Sequence, residues 1–191
     1  MIREDKKEQR LIIKEKNTAL SRAYIESSDK AIAERLFSLD VFRKAGTIFI
    51  YVSTGREVDT YAIIEKSLAC GKKVAVPRCT GKGVMDAFAI SSTADLEKGA
   101  YGIYEPVGSC RRIPPSEIDR AVIPCVSCDR KCNRLGHGIG FYDRYLCNTG
   151  FTSIALCREK IMLGQAVTEP HDVPVDMVIT ENAVYEHDPM I

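Results

Sequence analysis

The chain has 191 residues, a length that fits one domain, and 45% of them are hydrophobic, which is enough for a sizeable core. Its 27 basic and 26 acidic residues leave a net charge of +1, which argues against a protein held to nucleic acid mainly by bulk charge. No segment reaches the roughly 18 apolar residues that span a bilayer, and the charged segment 1–16 lacks the apolar core of a signal peptide. We therefore expect a cytoplasmic protein that binds neither nucleic acid nor membrane.

Two helices are predicted at the start of the chain. Residues 4–24 lack Gly and Pro and are rich in Lys, Glu, Arg and Leu, a composition that favours a helix. Ser28 or Asp29 then provides an N-cap for a second helix that ends at about Leu39.

A strand–helix–strand unit follows these helices. Residues 47–52 are β-branched and aromatic, which indicates a buried strand. Asp59 or Thr60 caps the next helix, and 73–76 form a second strand that we expect Pro77 to stop. Such a unit implies parallel strands joined by a right-handed crossover.

The second half of the chain predicts more strands. Residues 84–90 are typical of a strand at a sheet edge, and the Gly and Pro residues of 98–115 predict a long loop. Further apolar strands are predicted at 121–124, 153–156 and 175–180.

Strands that alternate with helices predict an α/β fold. We expect a three-layer sandwich with a mostly parallel central sheet and an N-terminal helical arm. The absence of internal repeats and low-complexity tracts predicts that residues 1–191 form a single domain.

The most informative segment is 133–144, in which three glycines alternate with other residues. It follows a predicted strand and leads into a predicted helix at 142–147, and such a loop is a ready site for an anion. Arg134 and Arg144 add positive charge, and Asp143 offers an oxygen ligand for Mg²⁺. A phosphate site with its metal is one interpretation, and a plain strand-to-helix turn is the other. The spacing fits neither a Walker A loop nor a dinucleotide fingerprint.

Other charged residues allow two interpretations each. Lys6, Arg10 and Lys14 share one helix face, which is typical of a solvated surface but also of a cationic clamp for phosphate. Glu57 follows the first strand, where α/β proteins bind ligands, or it is simply solvated. Asp176 begins an apolar strand and needs a partner or a metal if it is buried.

The eight cysteines fit reduced cytosolic thiols rather than a disulfide framework. Cys125, Cys128 and Cys132 have a metal-like spacing, but no second pair of cysteines or histidines completes a tetrahedral site. We therefore expect most cysteines to pack as small hydrophobic residues.

One family resemblance brings these residues together. Segment 134–144 resembles the R-L-G-x-G-x-G-Y-Y-D signature of the 5-formyltetrahydrofolate cyclo-ligase family, whose members are also called 5,10-methenyltetrahydrofolate synthetases. Lys6-x-x-x-Arg10 is similar to the family's N-terminal ATP-binding pair. Residues 57–60 are similar to its folate segment, and 175–176 to its last Val-Asp pair, so the resemblance covers nearly the whole chain.

The resemblance implies a ring closure that uses ATP as co-substrate and Mg²⁺ as cofactor. The formyl oxygen of 5-formyltetrahydrofolate attacks the γ-phosphate of ATP, and N10 of the folate then attacks the imidate phosphate. The products are 5,10-methenyltetrahydrofolate, ADP and phosphate. The expected partners are these small molecules, and the expected state is a monomer or weak homodimer.

The resemblance also implies roles for individual residues. The expected ATP-binding residues are Lys6, Arg10, Arg134, Leu135, Gly136, His137, Gly138, Ile139, Gly140, Phe141 and Tyr142. The expected folate contacts are Val52, Glu57, His137, Gly138, Ile139, Gly140 and Phe141. The expected Mg²⁺ ligands are Asp143 and Asp176, and the expected catalytic residues are Arg134 and Asp143.

Two departures from the family pattern accompany this resemblance. Phe141 stands where the signature has Tyr, and Cys132 replaces a glycine turn before the loop. The alternative hypothesis is a regulator that binds folate or nucleotide without turnover. An RNA-binding module is disfavoured by the near-neutral charge and the lack of a basic, aromatic-rich tract.

Overall fold

The computed structural model describes residues 2–99, 102–147 and 149–188. The helices are α1 (Ile2–Ala19), α2 (Arg22–Ser38), α3 (Asp40–Arg43), α4 (Tyr61–Ala69) and α5 (Phe141–Leu146). The strands are β1 (Thr47–Ile50), β2 (Lys73–Gly81), β3 (Val84–Ile90), β4 (Leu96–Lys98), β5 (Tyr104–Pro106), β6 (Arg112–Ile113), β7 (Arg120–Ile123), β8 (Ser127–Cys128), β9 (Arg134–Leu135), β10 (Thr152–Leu156), β11 (Met177–Ile179) and β12 (Val184–Glu186).

Eight strands form one sheet in the order β12-β11-β10-β7-β1-β2-β3-β6. The neighbours from β11 to β2 pair in parallel, whereas β12 on one side and β3 and β6 on the other pair antiparallel. Two small ladders, β4–β5 and β8–β9, lie outside this sheet. The predicted α/β fold with a mostly parallel central sheet is confirmed.

The sheet separates two hydrophobic cores, and β1 contributes to both. Phe49 faces the core that contains Ile13 of α1 and Leu146 of α5. Ile48 and Ile50 face the core formed with α2, α3 and α4. All four residues of β1 are buried, as expected for a parallel strand covered by helices on both faces. No helix in the described ranges is both long and apolar enough to cross a membrane.

The boundary between the first two helices differs from the prediction. The first helix ends at Ala19 rather than at Tyr24, because Ser21 caps α2 by accepting a hydrogen bond from the Tyr24 amide at 3.2 Å. Ser28 and Asp29 therefore lie inside α2. An unbroken run of helix-forming residues concealed the break, which depends on one capping side chain.

Three strand predictions also need correction. Pro77 does not end β2, because pairing with β1 stops at Ala75 and Pro77 lies beyond it, opposite Ala87 of β3. β3 is not the edge strand, since β6 pairs with its outer side. The predicted loop 98–115 contains β5 and β6; its residues 100–101 lie outside the described ranges.

A buried arginine joins α2 to the loop after β1. Arg158 is 1% exposed and donates hydrogen bonds to Ser28 Oγ at 3.1 Å and to the carbonyls of Arg56 and Glu57 at 2.8 and 3.1 Å. It also pairs with Asp29. This network holds the loop that carries Glu57 above the carboxyl end of the sheet.

We expect Arg158→Met to lower the free energy of unfolding by about 3–5 kcal/mol, because the partly buried Asp29 carboxylate and two carbonyls lose their buried donor. Urea denaturation followed by circular dichroism measures the change. Arg22→Met is the matched control, since the Arg22 side chain is 92% exposed and pairs with Glu26 on the same helix. Equal effects of the two substitutions would contradict the role of Arg158.

Candidate functional site

Two cavities meet at the glycine-rich segment, which we call the glycine loop (136–140). One, the apolar cavity, has a volume of about 300 Å³, and the other, the charged cavity, has a volume of about 910 Å³. The residues that line both are Arg134, Gly136, Gly138, Ile139, Gly140 and Asp143. The glycine loop is therefore a wall common to both cavities.

The carboxyl ends of β1 and β7 form the floor of the apolar cavity. Tyr51 and Val52 follow β1, and Pro124 follows β7, as expected for ligand sites in α/β sheets. The Tyr51 hydroxyl donates to the Val58 carbonyl at 3.0 Å, and the Thr60 hydroxyl donates to the Tyr51 carbonyl at 2.7 Å. These bonds fold the chain after β1 back over the strand end.

Arg134 and Asp143 fix the two ends of the glycine loop. The Arg134 side chain is 3% exposed, and its Nη2 lies 2.6 Å from Asp143 Oδ1. Its Nη1 donates to the Pro124 carbonyl at 3.3 Å. The pair thus ties β9 to the first turn of α5 and to the end of β7.

The glycine loop takes a shape that only glycine adopts readily. Gly138 and Gly140 have φ values of 101° and 74°, and Gly140 occupies the N-cap of α5. Arg144 secures the loop by donating to the Ile139 carbonyl at 2.8 Å and to the Gly83 carbonyl at 2.8 Å. Since α5 has six residues, its dipole is small, and positive charge at this site comes mainly from side chains.

Helix α1 supplies two of those side chains to the charged cavity. Lys6 is buried, and its Nζ lies 2.9 Å from Glu169 Oε2 and 2.5 Å from Asp172 Oδ2. Arg10 Nε donates to the Gly136 carbonyl at 2.8 Å. Burial raises the pKa of Asp172, but hydrogen bonds from Lys6 and the Glu169 amide outweigh it and hold this pKa below its ordinary value.

The structure does not bring Asp176 to Asp143, contrary to the predicted metal pair. Asp176 accepts hydrogen bonds from the Ser153 amide and hydroxyl, both at 2.7 Å, at the amino ends of β10 and β11. Asp143 pairs with Arg134, which donates to the carbonyl of Pro124 after β7. Because β7 runs parallel to β10, Asp143 lies at the carboxyl end of the sheet. Asp172, four positions earlier than Asp176, lines the charged cavity together with Asp143.

A further carboxylate cluster in the charged cavity has no recognisable motif in the sequence. Among the residues that the structure describes, ligand atoms of Glu169, His171 and Asp172 lie within 4.8 Å of one another. In the sequence, Glu169 precedes Pro170, and His171 and Asp172 lie between Pro170 and Pro174, a pattern that resembles an ordinary polar loop. By contrast, Cys128 and Cys132 are buried in the hydrophobic core, in keeping with a packing role.

All of the predicted folate contacts line the apolar cavity. They are Val52, Glu57, His137, Gly138, Ile139, Gly140 and Phe141. Glu57 Oε1 lies 3.1 Å from His137 Nε2, and Glu57 Oε2 accepts from the Thr54 amide at 2.7 Å. Burial raises the pKa of Tyr142, which also lines this cavity, well above its ordinary value, so its hydroxyl stays protonated.

The predicted ATP contacts divide between the two cavities. Those that line the charged cavity are Lys6, Arg10, Arg134, Leu135, Gly136, Gly138, Ile139 and Gly140. His137, Phe141 and Tyr142 line the apolar cavity instead.

Comparison with known proteins gives a consistent result. Residues 2–181 match the model of the 5-formyltetrahydrofolate cyclo-ligase family. The chain is 29% identical to a probable 5-formyltetrahydrofolate cyclo-ligase of Schizosaccharomyces pombe, over 90% of this chain and 89% of the relative. It is 26% identical to the 5-formyltetrahydrofolate cyclo-ligase of Escherichia coli K12, over 92% of this chain and all of the relative.

Solved structures agree with these similarities. The NMR structure of Aquifex aeolicus 5,10-methenyltetrahydrofolate synthetase superposes with a TM-score of 0.84 at 28% identity, covering 95% of this chain and 92% of that one. A 5,10-methenyltetrahydrofolate synthetase from Mycoplasma pneumoniae shares the fold with a TM-score of 0.75 at 23% identity, covering 93% of this chain and 99% of that one.

We expect Lys6→Gln to lower the free energy of unfolding at pH 7 by about 1.5 kcal/mol, through loss of the hydrogen bond to Asp172. Lys6 holds the pKa of Asp172 down, so its stabilising effect is present at neutral pH and is lost as pH falls below about 4. Denaturation at pH 7, 5 and 3.5 measures the difference from wild type, which should shrink with acid. Exposed Lys7→Gln should show no such trend, and a pH-independent effect of Lys6→Gln would contradict the assignment.

Proposed function

Because the chain belongs to the 5-formyltetrahydrofolate cyclo-ligase family and is an enzyme of that type, we propose that it converts 5-formyltetrahydrofolate to 5,10-methenyltetrahydrofolate with ATP and Mg²⁺. The observation that carries this proposal is the glycine loop, which forms the common wall of an apolar cavity and a charged cavity. A folate ring suits the first cavity and a nucleotide triphosphate suits the second. The two substrates would meet across the loop.

The charged cavity provides the groups that phosphoryl transfer needs. This reaction is catalysed mainly by positioning and by neutralising phosphate charge, so cations and backbone amides matter more than a protein nucleophile. Lys6, Arg10 and Arg134 line the cavity, and exposed Arg3 and Lys7 lie at the same wall. In this arrangement they would bind the phosphates of ATP, together with amides of the glycine loop.

The acidic side chains of the charged cavity fit a magnesium ion. Mg²⁺ prefers carboxylate oxygens and phosphates, and Asp143, Glu169 and Asp172 present carboxylates to the cavity. We assign Asp143 and Asp172 as the protein ligands in place of the predicted pair of Asp143 and Asp176. When bound, the ion would neutralise charge on the phosphates.

The reaction then needs two nucleophiles, and the folate supplies both. Its formyl oxygen attacks the γ-phosphorus of ATP, the bond to ADP breaks, and a phosphorylated formyl group (an imidate phosphate) forms. N10 attacks the formyl carbon, loses its proton, and phosphate leaves with the formyl oxygen. Arg134 would hold the transferred phosphate at the loop, while apolar walls such as Tyr51 and Phe141 would keep water from the intermediate.

The direct test incubates the purified protein with 5-formyltetrahydrofolate, ATP and Mg²⁺ and records the near-ultraviolet absorbance of methenyltetrahydrofolate together with ADP release. We expect both products in equal amounts, and none when ATP or Mg²⁺ is omitted. Tight folate binding without ADP release would support the regulator hypothesis instead. Cytoplasmic location and a monomer or weak homodimer remain predictions.

The metal assignment makes a sharper prediction. Asp172→Asn should lower kcat by at least about tenfold and raise the Mg²⁺ concentration for half-maximal rate, because the ion loses a charged oxygen ligand. Asp176→Asn removes the same charge four positions later and should leave the Mg²⁺ dependence unchanged. Mg²⁺ titrations of the initial rate measure both, with melting curves to show that each variant is folded. If Asp176→Asn changes the Mg²⁺ dependence and Asp172→Asn does not, Asp176 is the ligand and the assignment of Asp172 is wrong.

A further inference from the structure

One carboxylate in the apolar cavity has no role in the mechanism above. Glu105 of β5 is 8% exposed and lines this cavity beside Pro77, Cys79 and Ile103. Its Oε1 accepts a hydrogen bond from the Cys79 amide at 3.1 Å. Burial and the neighbouring Glu105 carboxylate raise the pKa of the Cys79 thiol to about 11.

Glu105 differs from the other two carboxylates that line the apolar cavity. Glu57 is paired with His137 and with the Thr54 amide, and Asp143 is paired with Arg134. Within the described ranges, no lysine, arginine or histidine forms an ion pair with Glu105. A buried carboxylate without a cation is costly unless hydrogen-bond donors compensate it, so this group is suited to a ligand that brings N–H donors.

The position of the Glu105 side chain is narrowly defined. The amide of Cys79 on β2 fixes one oxygen. On the other side, a Cβ atom at Gly99 would lie 2.3 Å from Glu105 Oε2, so a larger residue at position 99 would displace the carboxylate. The carboxylate is thus held in one place at the cavity wall before any ligand binds, which lowers the entropic cost of binding.

We infer that Glu105 recognises the pyrimidine edge of the pteridine ring, by accepting hydrogen bonds from its 2-amino group and N3–H. These two adjacent N–H donors match the two oxygens of a carboxylate, as a guanidinium does. N5 lies on the other ring of the bicycle, so this anchor would leave the formyl group free to face the glycine loop. The inference rests on the proposed function and adds the group that would select a 2-amino-4-oxopteridine.

Steady-state kinetics of Glu105→Gln test this inference. The amide places an N–H₂ group against the ring donors, so we expect KM for 5-formyltetrahydrofolate to rise about 10- to 100-fold, with a smaller change in kcat. Glu97→Gln is the matched control, because Glu97 lies opposite Glu105 on the same two-stranded ladder but is exposed and lines none of these cavities. The control should keep the wild-type KM.

A substrate analogue separates recognition from a merely structural role. The 2-desamino-2-methyl analogue of 5-formyltetrahydrofolate lacks the 2-amino donors. We expect wild type to bind it at least about tenfold more weakly than the parent compound, and Glu105→Gln to bind both equally. If Glu105→Gln lowers the affinity for both compounds by the same factor, it still prefers the parent compound as wild type does. That result would overturn the inference.

Two further measurements keep the test decisive. If Glu105→Gln does not fold, wild type must still bind the parent compound more tightly than the analogue. Gly99→Ala, which displaces the carboxylate, must then reduce this difference in affinity. Equal wild-type affinity for both compounds would overturn the inference. Failure of the proposed function looks different, because wild type would then form no methenyltetrahydrofolate from the parent compound.

Discussion

The buried pair of Arg134 and Asp143 is the interaction on which the rest of the site depends. An arginine that is 3% exposed needs a nearby carboxylate, because an isolated buried charge is very costly. This requirement brings together residues nine positions apart and closes the intervening segment into a tight loop. The loop can close only with backbone angles that favour glycine, and in closing it becomes the wall between the two cavities.

The architecture could be predicted from the sequence because it depends on local periodicity. The β-branched run at 47–50 and the apolar helix after it are patterns of neighbouring residues, and they indicated a parallel sheet correctly. The predicted ends of helices and strands are wrong where a single contact overrides the local sequence pattern. Ser21 ends a helix-forming run by capping α2, and Pro77 stays within β2 because the pairing of β2 with β1 stops at Ala75.

Residues of the site could be predicted from the sequence only where they belong to a recognisable motif. The glycine loop, Glu57 and the α1 cations have recognisable spacings, and the structure places them around the two cavities. Asp172 and Asp176 are both acids near prolines at the end of the chain, and only strand register shows that they lie at different ends of the sheet. No sequence motif indicates a role for Glu105, since the residues around it come from three separate places in the chain: β2, β5 and the segment before residue 100.

The contact between Lys6 and Asp172 has a consequence for how the protein is made. The two residues are 166 positions apart, and synthesis proceeds from the N-terminus. The ammonium group therefore leaves the ribosome long before the carboxylate that neutralises it. Contacts of such separation close late, because the chain must first lose the entropy of a long loop. The sheet can begin to assemble on the nascent chain, whereas the charged cavity is completed only when the last strands emerge.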